Sequence, residues 1–111
     1  VPMITLQDII NKYEIPKSSV LKIDCEGCEY DIIENISSET ISYFSNIQIE
    51  YHLGYKKLKN KLESFGYTVK VSKPHATNVI LTLYNFLKSK DVITDEKIGY
   101  AGFIFASKLK L

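Results

Sequence analysis

The stretch that most constrains this chain is an apolar run that stops at a carboxylate and then at a glycine. Residues 20–30 read Val-Leu-Lys-Ile-Asp-Cys-Glu-Gly-Cys-Glu-Tyr. Four mostly apolar residues lead into Asp24, and an acidic, glycine-containing turn follows. Beyond it, Tyr30, Ile32, Ile33 and Ile36 recur at helical spacing. The segment therefore reads as strand, sharp turn and helix. In open α/β sheets, ligands bind outside the carboxyl ends of strands. Asp24 and Glu26 fall at such an edge, and Gly27 lets the backbone turn tightly or approach a ligand.

The flanking segments extend the same alternation. Thr5-Leu6-Gln7-Asp8 reads as a capping-box variant, with Leu6, Ile9, Ile10 and Tyr13 on one helical face. Pro16 ends that helix by disfavouring helical backbone at Ile15. Ser37-Ser38-Glu39 caps a second short helix, read as running through Ile41 and Phe44. From Asn46 the residues alternate: Ile47, Ile49, Tyr51 and Leu53 on one face, Glu50 and His52 on the other. Gly54 breaks this strand. Residues 55–65 form a lysine-rich amphipathic helix closed by Gly66, and residues 67–72 a further strand. Residues 74–77 read as loop, 79–87 as helix and 91–97 as polar loop. Residues 99–108 read as a final strand. Alternating helices and strands imply a mostly parallel sheet.

At 111 residues the chain is one α/β domain, spanning 1–111. The formal net charge of +1 gives no reason to expect nucleic acid or an anionic membrane as partner. Its apolar runs fall short of the roughly 20 residues of a membrane helix. The first residue is Val, as in a piece of a longer chain. The start shows no secretory leader pattern, and two cysteines point to a cytoplasmic protein.

Three sets of residues carry candidate chemistry. Asp24 and Glu26 form a carboxylate pair at the sheet edge; the structural alternative is that they cap the turn and the helix start. Glu50 and His52 share a face of the next strand, and His52 suits a general base because imidazole titrates near neutrality. The alternative there is a hydrogen-bonded histidine at a strand end. Asp24, Glu50 and His52 also match a metal in ligand type, but nothing in their spacing demands one, and no metal is expected. Cys25 and Cys28 have redox-motif spacing. The carboxylates around them disfavour a thiolate, so packing is the better reading. Tyr30 is read as a packing residue, His75 as a surface histidine and the lysines of 56–61 as a solvated face.

Residues 23–30, Ile-Asp-Cys-Glu-Gly-Cys-Glu-Tyr, also resemble the Ile-Asp-x-Glu-Gly-x-Glu signature of FkbM-type methyltransferases. Residues 4–10 and 47–52 match pieces on either side. The resemblance spans nearly the whole chain but only the C-terminal half of the family's domain. The family's earlier glycine-rich cofactor loop is not in this sequence. The resemblance implies a partial Rossmann-like sheet, with the last strand antiparallel and inserted: strand 20, strand 47, strand 99, strand 67. It implies S-adenosylmethionine as cofactor, lying against Asp24, Glu26 and Gly27, and a hydroxyl of a sugar or small molecule as methyl acceptor. Asp24, Glu50 and His52 would supply the acceptor-side chemistry, and the isolated chain would be inactive.

A cut at this point leaves residues 20–23 as an open sheet edge, weakly protected by Lys22. Such an edge invites pairing with another chain, so either a homodimer through it or a piece of a larger enzyme is expected. The competing reading is a non-catalytic α/β interaction module or remnant; a thiol redox protein is a weaker third.

Overall fold

In the computed structural model the described residues are 3–73, 75–76 and 100–108. Helix α1 spans Leu6–Tyr13. Its capping box is complete: the Asp8 amide donates to Thr5 Oγ1 at 3.1 Å, and the Thr5 amide donates to Asp8 Oδ2 at 2.9 Å. These Thr5 donors hold the Asp8 carboxyl below its ordinary pKa. Glu14, in left-handed conformation, caps the other end two residues before Pro16.

Strand β1 (Ser19–Ile23) enters the turn that leads to α2 (Cys28–Asn35). Ser37 caps α3 (Ser38–Ile41) by accepting the Thr40 amide at 3.1 Å. Strand β2 (Phe44–Tyr51) starts two residues before Asn46, and Phe44 belongs to it and not to the helix. The reason is tertiary. Ser19 donates its amide to Tyr43 O, and the Tyr67 hydroxyl lies against both Ile41 O and Phe44 O. Helix α4 (Lys56–Ser64) and strand β3 (Thr68–Val71) follow, with Gly66 at φ 92° between them. Residues His75–Ala76, read as loop, form a two-residue strand β4 paired with the start of β5 (Tyr100–Ser107). The helix expected at 79–87 and the loop at 91–97 lie outside the described residues.

The strand order is β1-β2-β5-β3, which is the order that the resemblance implied. The antiparallel last strand is as expected, but the ladders are not mostly parallel. β1 and β2 pair in parallel, but β5 pairs antiparallel with both β2 and β3. One reversed strand placed inside a sheet turns both of its ladders antiparallel, so the sheet is mixed.

Register sorts the side chains into two faces. Leu21, Ile23, Ile47, Ile49, Tyr51, Val69, Ile104 and Ala106 share one face. There α2 contacts β2, α4 contacts β3, and the two helices contact each other. Ile33, Leu58 and Leu62 from these helices are buried in the resulting core. The opposite face carries Val20, Lys22, Asn46, Gln48, Glu50, Lys70 and Phe105, and both Val20 (68 % exposed) and Phe105 (47 %) lie open. Among the described residues β1 has β2 as its one strand neighbour. Also among the described residues, no helix is long and apolar enough to cross a membrane.

Candidate functional site

The parallel β1–β2 pair brings two strand ends together. Ile23 lies opposite Ile49, so Asp24, the next residue after β1, emerges beside Glu50, and His52 follows the end of β2. A ligand atom from each of Asp24, Glu50 and His52 lies within 4.8 Å of the others. Asp24 is exposed and accepts no protein hydrogen bond among the described residues; Glu50 and His52 are half-buried.

The turn after β1 explains why these residues stay in place. Glu26 (φ 35°) and Gly27 (φ 117°) are both left-handed, and only glycine takes the second value without strain. A Cβ on Gly27 would touch nothing, so its role is conformational and not one of close approach. The turn closes through the Cys28 amide, which donates to Cys25 O at 3.0 Å. It also closes through the side chains: Cys25 and Cys28 form a disulfide across a Cα–Cα distance of 5.5 Å. Packing was the better reading of these cysteines and a redox role the lesser one. The tight turn instead sets their backbones at a separation that suits a disulfide.

Glu29 is the residue the sequence reading passed over. It is fully buried, at 0 % exposure. Its Oε2 accepts the Gly27 amide at 2.7 Å and lies 3.7 Å from the Cys25 sulfur, which has no proton to donate in a disulfide. Its Oε1 meets His52 Nδ1 at 3.0 Å. With Glu29 as the acceptor, Nδ1 carries the hydrogen, and in that tautomer Nε2 presents its lone pair. Nε2 faces Glu50 Oε1 at 3.9 Å. Tyr30 does more than pack: its hydroxyl donates to Gly54 O at 2.6 Å and accepts the Leu53 amide at 2.7 Å. That clamp fixes the backbone just past His52.

The structure thus joins Asp24, Glu50 and His52 and adds Glu29 beneath them. Glu26 stands exposed on the turn, and the Gly27 amide already serves Glu29. The groove between α2 and α4, lined by Tyr30, Glu34, Lys57 and Lys61 among others, contains none of the three converging residues. Glu29 closes the signature and sits in the first turn of α2, where nothing in the sequence sets it apart from the acids around it until its partner is placed. A charge on the core side of a helix start needs a partner there.

A family model described as the Methyltransferase FkbM domain matches residues 1–86. No curated protein matches the chain, and no solved structure does.

Proposed function

The chain belongs to the FkbM methyltransferase domain family, and from that membership we propose that it contributes the acceptor side of an S-adenosylmethionine-dependent O-methyltransferase. The observation that supports this reading is the meeting of Asp24, Glu50 and His52 at the carboxyl ends of two parallel strands. The cofactor would supply an electrophilic methyl group. The chain's own residues would hold and deprotonate a hydroxyl of a sugar or small molecule. Asp24, exposed and without a protein partner among the described residues, suits both the acceptor hydroxyl and the cationic end of the cofactor. His52 offers the Nε2 lone pair for the leaving proton, and Glu29 balances the resulting imidazolium from Nδ1. Glu50, near Nε2, adds to that balance. Glu26 would line the turn beside the cofactor; Gly27 would act by shaping that turn.

In this division of labour the cofactor's remaining contacts come from residues outside this chain. Titrating S-adenosylhomocysteine into the isotope-labelled chain tests it by NMR. The expected result is binding weaker than about 100 μM, with shifts confined to residues 24–27 and 52. Sub-micromolar binding would contradict the division, and saturation without shifts there would contradict the site.

A second reading, an interaction module or homodimer, is favoured by the edge of β1, where residues 20–23 have no strand beyond them among the described residues. Light scattering on the purified chain checks it, and a monomer at high concentration counts against it. We also propose a cytoplasmic location. The Cys25–Cys28 disulfide would then be open in the cell, because disulfides are rare in that compartment; rapid thiol trapping from cells that finds the bond intact would overturn the location.

A further inference from the structure

We propose that Asp24, Glu50 and His52 bind a divalent first-row transition ion, with Glu29 as the buried residue that positions the histidine. Three ligand-bearing side chains converge here: a carboxylate oxygen from Asp24, one from Glu50 and a ring nitrogen of His52, of which Nε2 is the one not engaged by Glu29. Two of the groups are carboxylates, and the imidazole offers a third ligand. Such a cluster calls for a cation. A proton on Nε2 answers poorly, because 3.9 Å to Glu50 is too long for a hydrogen bond and Asp24 would stay unserved. Metal bonds of about 2.0–2.2 Å place neighbouring ligand atoms about 3–3.5 Å apart. The observed spread of up to 4.8 Å would have to close to that on binding.

The second observation lies beneath the cluster. A histidine that binds a metal usually donates its other ring N–H to a carboxylate, which fixes tautomer and ring orientation. Glu29 is such a carboxylate: fully buried, 3.0 Å from Nδ1, and itself anchored by the Gly27 amide. The Tyr30 clamp on residues 53–54 holds the histidine's backbone from the other side. Two carboxylates and one imidazole, with room for further ligands on the exposed side, favour manganese, cobalt or zinc over magnesium.

Ion and proton would compete for one lone pair. With the ion bound, an acceptor oxygen would be polarised by the metal directly and not deprotonated by His52. That consequence rests on the methyl-transfer reading; the binding does not, and it is measured without any transfer assay.

The test is titration of the full chain with Co²⁺, Mn²⁺ and Zn²⁺, following Co²⁺ by its visible spectrum and Mn²⁺ by electron paramagnetic resonance. A single site is expected, without a sulfur-to-cobalt band, and equimolar Mg²⁺ should not displace the ion. Glu29→Gln should weaken binding about 10–100-fold while circular dichroism stays native. Asp24→Asn and His52→Ala should each weaken it further. The double variant Cys25→Ser, Cys28→Ser should bind as the parent does, which separates this site from the Cys25, Cys28, Glu29 group nearby. No uptake of any of the three ions at millimolar concentration by folded chain would overturn the proposal. So would uptake that survives His52→Ala unchanged, or a sulfur band that disappears in the cysteine variant.

Discussion

Removing Glu29 should destabilise the fold far more than a surface carboxylate would, and the arrangement of its two oxygens says by how much. In Glu29→Ala the Gly27 amide and the His52 Nδ1–H both lose their acceptor. Each bond to a charged group contributes about 1.5–3 kcal/mol. Against this, the variant no longer buries a carboxylate, which returns part of the gain. His52 is 21 % exposed and no buried charge is stranded, so the net loss is that of donors left without an acceptor, about 1–3 kcal/mol. A domain of this size holds about 5–15 kcal/mol in all, so the loss takes a large share. Urea unfolding followed by circular dichroism measures it.

Glu29→Gln separates charge from hydrogen bonding. The glutamine oxygen can keep the Gly27 amide, but its NH₂ then faces Nδ1. His52 resolves the clash by moving its hydrogen to Nε2 and accepting at Nδ1. The cost should fall to about 1–2 kcal/mol, nearer that of one ordinary hydrogen bond. The tautomer change is read from the imidazole nitrogen shifts. If Glu29→Ala unfolds within about 0.5 kcal/mol of the parent, the range of an ordinary surface change, the Glu29–His52 pair is not holding the site together. If Glu29→Gln leaves the imidazole shifts unmoved, the assignment of hydrogen to Nδ1 fails.

Two further outcomes follow from the core. The Tyr67 hydroxyl, buried against Ile41 O and Phe44 O, has its pKa pushed up to about 12 by desolvation. Between pH 10 and 12 the unfolded chain therefore holds fewer protons than the folded one, and stability falls as pH rises through that window; Tyr67→Phe should flatten this slope in unfolding curves taken across it. Gly102→Ala should cost about 1–3 kcal/mol by overpacking, because a Cβ there would overlap the buried Tyr51 ring, with Cε1 only 2.7 Å away; a thermal midpoint equal to the parent's would refute that fit.

Local chemistry made part of this molecule readable in advance. Thr5 and Asp8, three residues apart, satisfy each other's backbone, so the start of α1 follows from four residues. Alternation at 47–52 put Glu50 and His52 on one face because side chains in a strand alternate, whatever lies nearby. The start of β2 was missed because Phe44 is held by Ser19 and Tyr67, which are distant in sequence. Helix–strand alternation counts elements and says nothing about a strand inserted in reverse, so the antiparallel β5 was legible only through the family resemblance.

The site divides along the same line. Asp24 was legible as the residue that ends an apolar strand, whereas Glu29 reads in sequence as one more acid in a charged turn. Its burial depends on α2 lying against β2, and its partner His52 is 23 residues away. Positioning groups of this kind are defined by what they hold, so sequence exposes them only when the held residue is already known. Once His52 is placed at the end of β2, a buried carboxylate at its Nδ1 follows from the need to pair a polar ring beside the core. The acid in the first turn of α2 is the group the fold brings to that atom. The FkbM signature therefore joins two physically separate duties: Asp24 faces outward to a ligand, and Glu29 faces inward to keep the opposing strand's histidine aimed at the same place.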